Sequence, residues 1–336
     1  MALVNHRFTL ASRPVGMPTR TDWAYEEETV RELHEGEVLI RVLFISLDPA
    51  MRGWMNQSRS YVPPVAIGEV MRALALGQVA ASRNPRFAVG KHVSGTFGVQ
   101  EYFISEGKGL IEVDPRVAQL PTFLNVLGMT GMTAYFGLLE TGQPRAGDTV
   151  VVSAAAGAVG AVVGQMAKIK GCRAVGIAGG ANKCLYLVSE LGFDAAIDYK
   201  SEDVSEALRK NCPQGINVYF DNVGGDILEA ALANLARGAR IVICGAISQY
   251  CNTGPVQGPR NYLSLLVHRA TMKGMLVFDY ANRYSQAAQE MAGWMAAGKL
   301  KSREHVVEGL ATFPDTFLKL FKGENVGKLI LKVAAE

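Results

Sequence analysis

The chain has 336 residues, of which 49% are hydrophobic and 19% charged, with a formal net charge of +3. At roughly 100–200 residues per domain this predicts two domains, either one large enough to close a core without disulfide staples. The composition excludes a disordered chain, and the small net charge gives no reason to expect a nucleic-acid partner.

The five cysteines, Cys172, Cys184, Cys212, Cys244 and Cys251, are odd in number and none are spaced C-x-x-C. That pattern favours a reducing compartment, so a cytoplasmic protein is expected. The first ten residues carry no apolar run of signal-peptide length. The longest apolar stretch, residues 150–167, is interrupted by Gly157, Gly160 and Gly164 and by polar Ser153 and Gln165, so no membrane span is expected.

In chain order, residues 37–45 read as a strand. Turn signals follow at Asp48-Pro49, Pro63-Pro64, Gly90 and Gly95. Short runs between Gly and Pro predict a small barrel. From about Leu120 helical patterns alternate with short apolar strands. Strands are expected at residues 149–153, 173–178, 195–198, 218–221 and 240–244. Helices are expected from the glycine turn to about Lys170 and over 183–191. Such alternation predicts a parallel sheet covered on both faces. A strand over 275–278, a helix over 284–297 and a β-like tail over 328–333 complete the chain. The tail is expected to rejoin the first domain. Lys168, Lys170 and Arg173 fall where a helix should end, a position that favours cations.

The strongest motif is the run from Val150 to Gly164, a strand entering Gly157-Ala158-Val159-Gly160 and then Gly164. The glycines allow a tight turn and close approach of a pyrophosphate, and the helix that follows aims its first N–H groups at that anion. Ala155 stands where a strict G-x-G-x-x-G would open. The strand–turn–helix context supplies what the spacing lacks. After the next strand, where an NAD site places an acid on the ribose, the chain reads Ala178-Gly-Gly-Ala-Asn-Lys183. Small residues there leave room for a 2′-phosphate and Lys183 can neutralise it, which favours NADPH over NADH.

With these residues in view, the chain resembles the medium-chain dehydrogenase/reductase superfamily. It is similar in particular to the zinc-free group of prostaglandin, alkenal double-bond and bacterial curcumin reductases. The resemblance runs over nearly the whole chain. It rests on Ile45-Ser-Leu-Asp-Pro49 with Met51-Arg52, on Leu127 to Gly137, on Ala154 to Gly160 and on Gly164-Gln-Met-Ala-Lys168. Further along it rests on Phe220-Asp-Asn-Val-Gly-Gly225, Cys244-Gly-Ala-Ile-Ser-Gln-Tyr250 and Leu320 to Lys328. It implies an α/β architecture with a GroES-like β-barrel substrate domain (1–124 and 306–336), a Rossmann doubly wound NADP-binding domain (125–305), a cleft between them and a homodimer formed through the Rossmann domain.

Carried onto this sequence, the resemblance puts the pyrophosphate at Gly157, Ala158, Val159 and Gly160, and the 2′-phosphate at Lys183 and Tyr199. It puts Asn222 on the cofactor, together with Cys244, Gly245, Ala246, Ile247, Ser248, Gln249 and Tyr250 and with the expected strand at Met275, Leu276 and Val277. Asn325 is implied to meet the nicotinamide half from the other domain. The chain departs from the group at Ala50, where tyrosine is usual, at Thr130, where proline is usual, and over 68–77, where a glycine-rich stretch is usual. Ala50 and Tyr61 are candidate substrate-pocket residues, although Tyr61 reads equally well as a residue closing a barrel loop.

A catalytic zinc needs converging Cys, His and carboxylate ligands. Residues 1–120 contain no cysteine, and His6, His34, His92, His268 and His305 form no H-E-x-x-H pair. No metal is therefore expected, which points away from alcohol oxidation and towards hydride addition to an activated alkene. Tyr250 is the candidate donor to the oxygen that becomes an enolate, with simple packing against the cofactor as its competing role. Ser153 lacks a G-x-S-x-G elbow and does not read as a nucleophile. Ene-reduction of an enone-type substrate, quinone reduction and non-catalytic NADPH binding all remain open at this point.

Overall fold

The computed structural model describes residues 2–256 and 258–335. The chain forms two compact units, Met1–Leu124 with Glu304–Glu336, and Asn125–Arg303.

The first unit opens with an antiparallel ribbon of β1 (Val4–Leu10) and β2 (Trp23–Thr29). Then come β3 (Val38–Ser46), the short helix α1 (Ala50–Trp54), β4 (Leu74–Ser82), β5 (His92–Thr96), β6 (Tyr102–Ser105) and β7 (Ile111–Val113). β3 is a run of aliphatic and β-branched residues in which only Arg41 is exposed, as expected of a strand covered on both faces. Gly77 on β4 faces it at the closest point. A Cβ there would lie 2.4 Å from the Arg41 carbonyl oxygen.

The second unit contains α2 (Met129–Phe136), β8 (Thr149–Ser153), α3 (Ala158–Ile169), β9 (Arg173–Ala178), α4 (Ala181–Ser189) and β10 (Ala195–Asp198). It continues with α5 (Val204–Asn211), β11 (Ile216–Asp221), α6 (Gly225–Leu232), β12 (Leu235–Ile243), α7 (Leu263–His268), β13 (Thr271–Gly274) and α8 (Tyr284–Ala296). The six strands form one parallel sheet in the order β10-β9-β8-β11-β12-β13. The winding reverses between β8 and β11, and a doubly wound sheet offers its ligand crevice at the carboxyl ends of such a pair. Val150, Val151 and Val152 on β8 and Val218, Tyr219 and Phe220 on β11 are all buried, so this central pair supplies the core beneath the crevice. Helix α3 packs tightly on the sheet through Gly164. A Cβ there would fall 1.8 Å from the Phe193 ring.

The chain then returns to the first unit as β14 (Glu304–Glu308), α9 (Phe313–Lys322) and β15 (Lys328–Lys332). β15 pairs antiparallel with β3 and parallel with β14, giving the order β14-β15-β3-β4-β5-β7 with β6 also on β3. Phe313 and Phe317 on α9 are fully buried, and Phe313 packs its ring 5.2 Å from both Phe8 and Trp23. Lys328, 1% exposed, donates to Asp48 Oδ1 at 2.5 Å and to the Leu47 carbonyl at 3.1 Å.

One expected element is corrected. The strand predicted over 275–278 lies instead at Thr271–Gly274, and residues from Val277 to Arg283 form a 3-10 turn. β13 pairs with β12 only as far as Gly274 opposite Ile243, and a last bond joins Met275 N–H to the Ile243 carbonyl. β12 itself ends at Ile243, and the N–H groups of Cys244 and Gly245 both converge on the Asp221 carbonyl. With no ladder left, the apolar run serves packing, and Val277 is buried. Met275, Leu276 and Val277 therefore follow a strand rather than form one.

Candidate active site

At the end of β8 the chain makes a left-handed step at Ala154 (φ 48°) and is extended at Gly157, the N-cap of α3. The left-handed position is thus Ala154, one residue before the site where the sequence motif lacks its first glycine. Gly160 is required by close approach, since a Cβ there would sit 2.4 Å from the Ala154 carbonyl oxygen. Ala158 and Val159 form the first turn of α3, whose unpaired N–H groups and dipole favour an anion.

The ends of β9 and β10 form a second corner. Asp198 Oδ1 accepts Gly180 N–H at 2.7 Å and Lys200 N–H at 3.0 Å, and these bonds hold the Asp198 carboxyl below the usual carboxylate range. Lys183 lies in the first turn of α4, its N–H bonded to the Gly180 carbonyl at 3.0 Å. Burial, and then the nearby Lys200 cation, pull the Lys183 ammonium below the usual lysine range. Tyr199 N–H donates to the Ala178 carbonyl at 3.1 Å and its ring lies against Gly179. Lys183 and Tyr199 therefore share one corner, joined by Lys200, which sequence reading passed over although it follows Tyr199 directly.

The segments after β11 and β12 are stitched together. Asn222 Nδ2 donates to the Ser153 carbonyl at 2.8 Å, Ile247 N–H to the Asn222 carbonyl at 3.1 Å and Ser248 Oγ to the Val223 carbonyl at 2.6 Å. Cys244 and Gly245 leave β12, Ala246 is the N-cap of a 3-10 turn over Ile247–Gln249, and Tyr250 closes that turn. Burial pushes the Cys244 thiol up to about 12, so it stays protonated. The Tyr250 hydroxyl oxygen accepts Ala246 N–H at 3.2 Å.

Tyr284, on α8, was missed by sequence reading. Its hydroxyl donates to the Val277 carbonyl at 2.9 Å and lies 3.7 Å from Met129 Sδ, while burial pushes it up to about 12. It fixes the backbone of the segment carrying Met275, Leu276 and Val277. No local signal marks it, because it stands seven residues beyond the carbonyl it holds.

The remaining candidates belong to the first unit. Ala50 is the first residue of α1 and half-buried, and Tyr61 is 52% exposed in the segment between α1 and β4. Asn325 sits in the turn between α9 and β15, its Nδ2 donating to the Gly327 carbonyl at 2.9 Å.

A parallel sheet in 3-2-1-4-5-6 order, a glycine turn into a helix at its switch point and a half-buried lysine beyond the second strand define a Rossmann dinucleotide-binding protein. Residues 6–113 match the N-terminal domain of oxidoreductase family and residues 158–293 the zinc-binding dehydrogenase family. The chain is 43% identical to the NADPH-dependent curcumin reductase of Escherichia coli over 99% of this chain and 98% of that one. It is 39% identical to the NADP(+)-dependent 2-alkenal reductase of Nicotiana tabacum, again over 99% of this chain and 98% of that one. It superposes on the crystal structure of CurA from Vibrio vulnificus in complex with NADPH with a TM-score of 0.94 and 44% identity, covering 98% of this chain and all of that one. The chain belongs to the medium-chain dehydrogenase/reductase superfamily, in the group of the curcumin, alkenal and prostaglandin reductases.

The zinc in one family's description finds no ligand set here: among the described residues, no three His, Cys, Asp or Glu side chains gather where a metal ion could be held.

Proposed function

We propose that this protein reduces the carbon–carbon double bond of α,β-unsaturated ketones and aldehydes, with NADPH as the reductant and without zinc. The observation that carries this reading is the full-length similarity to reductases named for curcumin and 2-alkenals, joined to a cofactor corner built for NADP.

The cradle fits that cofactor. The close approach at Gly160 leaves the backbone bare for a pyrophosphate, and α3 points its N-terminus there. At the other corner burial, and then the nearby Lys200 cation, disfavour the charged form of Lys183, a cost that a 2′-phosphate dianion beside it offsets. When bound, NADPH supplies the hydride to the β-carbon of the enone. Tyr250, its hydroxyl oxygen anchored by Ala246 N–H, donates its proton as a hydrogen bond to the carbonyl oxygen as enolate charge develops. Asn222 and the segment 244–250 line the cofactor, as does the segment held by Tyr284. By the resemblance to the group, Asn325 is assigned to the nicotinamide half and Ala50 and Tyr61 to the substrate. Alanine at position 50 widens the space that a tyrosine fills elsewhere in the group.

The same reading makes the substrate domain residues 1–124 with 306–336 and the NADP-binding domain residues 125–305. It makes the protein a homodimer through the latter. β13 is the last strand of its sheet, and beside it α7 exposes Leu263 (59%), Leu266 (76%) and Val267 (62%). An unpaired strand edge flanked by apolar side chains is costly in water and is covered by a second copy. The cysteines are free thiols, in keeping with a cytoplasmic protein.

The test is NADPH oxidation followed at 340 nm with a panel of enones, run beside NADH and a quinone. Turnover of enones with NADPH well above that with NADH supports the reading. Turnover confined to the quinone replaces it, and tight NADPH binding with no turnover on any acceptor removes catalysis altogether.

A further inference from the structure

Asp221 ends β11 at the switch point, and its side chain is 1% exposed. Its Oδ1 accepts from Ser153 Oγ, the Tyr219 hydroxyl, Val223 N–H and Gly224 N–H, each at 3.0 Å, and Gly224 N–H also reaches Oδ2 at 3.2 Å. Its backbone carbonyl accepts Cys244 N–H at 2.9 Å and Gly245 N–H at 3.1 Å. One residue thus joins the last residue of β8, the turn after β11 and the turn after β12. These are the three adjacent strand ends that border the crevice.

A buried carboxylate is expensive unless donors reach it, and here four converge on Oδ1, one of them shared with Oδ2. What the fold gains is register. Ser153 is used twice: its hydroxyl donates to Asp221 and accepts Asn222 N–H at 2.8 Å, while its carbonyl takes Asn222 Nδ2 at 2.8 Å. With its nitrogen committed to β8, the Asn222 amide has one orientation. The strand pairing alone does not set it, because the β11–β8 ladder runs only from Val218 to Phe220 and stops short of Asp221. The Ser153–Asp221 bond, with the two Asn222–Ser153 bonds, continues the junction of the two halves of the sheet past the end of the ladder.

We infer that Asp221 is a positioning residue for hydride transfer: through Ser153 it locks the glycine turn to Asn222 and to the segment 244–250, and so holds the surfaces that orient the cofactor in a single register. This rests on the assignment of those segments to NADPH made above.

Asp221→Asn and Ser153→Ala test it in the full-length protein. In the aspartate variant the amide oxygen can replace one acceptor, but the amide nitrogen becomes a donor facing Gly224 N–H. In the serine variant Asn222 N–H loses its acceptor without any gain in bulk. Each variant is expected to keep a cooperative thermal transition and to raise the KM for NADPH at least tenfold. Each is also expected to lower kcat at saturating NADPH, with the KM for the enone within twofold of the parent. The primary isotope effect with NADPH deuterated at the transferred position should grow, because a misplaced cofactor slows the hydride step itself, which a loss of fold alone would not do. The double variant should lose less than the sum of the two single variants, because both act on the Ser153–Asp221 bond.

Lys183→Ala, measured alongside, separates the two levels. If it weakens NADPH while both network variants leave KM, kcat and the isotope effect within twofold, the role of Asp221 is overturned and the cofactor site stands. If Lys183→Ala also leaves NADPH binding unchanged, the site assignment falls and the role of Asp221 falls with it. Should Asp221→Asn not fold, Ser153→Ala alone decides.

Discussion

Tyr199 lies against Gly179 so closely that a Cβ on the glycine would meet the ring Cζ and the hydroxyl oxygen at 2.8 Å. The absence of one side chain therefore sets where another stands at the corner shared with Lys183. Gly179→Ala should displace the ring and raise the KM for NADPH several-fold while the KM for NADH stays put. Lys183→Ala should remove about 1.5–3 kcal/mol of charge-assisted binding and lower the preference for NADPH over NADH accordingly. Steady-state kinetics with the two cofactors measure both, and equal losses for each would refute the phosphate role.

Tyr250→Phe keeps the ring and removes the donor. The expected loss in kcat/KM on an enone is about 2.7–4 kcal/mol, the range for a single oxyanion-hole group. The variant's Tm separately reads the loss of the bond from Ala246 N–H at 3.2 Å. An unchanged kcat/KM would reduce Tyr250 to a packing residue.

Two exchanges in the glycine turn should act in opposite directions. Ala154→Gly relieves a left-handed residue (φ 48°) worth about 1–2 kcal/mol, less about 0.4–1 kcal/mol for the freer unfolded chain, for a net gain between about 0 and about 1.6 kcal/mol. Gly160→Ala forces a methyl onto the Ala154 carbonyl and should lose stability and NADPH binding together. Urea unfolding curves give both signs.

Lys328 is deeply buried and its ammonium is bonded to Asp48 and the Leu47 carbonyl. Lys328→Met removes the ammonium from a partly exposed carboxylate that keeps its bond from Ser46, and should cost about 1.5–3 kcal/mol. Adding Asp48→Asn should recover part of that loss, and a thermodynamic cycle on the two variants reads the coupling.

His6 stands between two carboxylates, Nδ1 2.6 Å from Glu101 and Nε2 3.3 Å from Glu27, and stacks on Tyr25. The hydrogen bond to Glu101 raises its pKa above the usual histidine value in the folded state, against a smaller opposing effect of burial. The stability it contributes is therefore fully present below the unfolded value of about 6.5 and is lost as pH rises through the higher folded value. Between pH 6 and pH 8 the parent should lose more in Tm than His6→Gln, and parallel pH profiles for the two would contradict the pairing.

The strands at Thr149–Ser153, Arg173–Ala178 and Ala195–Asp198 were readable residue by residue, because each is a short apolar run closed by turn-forming neighbours, so local preference and burial agree there. The glycine turn into α3 and the place of Lys183 near the start of α4 were legible for the same reason: they follow from spacing along one strand–turn–helix unit. Residues 275–278 were misread as a strand because an apolar run carries the same signal whether it pairs or packs, and only the exit of β12 at Cys244 decides between them. The partners of Asp221, the hold of Tyr284 on Val277 and the nearness of Lys200 to Lys183 were not legible at all. Amino-acid order by itself determined where most strands and helices lie and where the glycine turn falls, since those depend on contacts a few residues apart. Which side chains meet at the carboxyl ends of neighbouring strands was decided only by the tertiary structure, because the parallel sheet brings together residues tens of positions apart and burial then compels each polar group to find its partner.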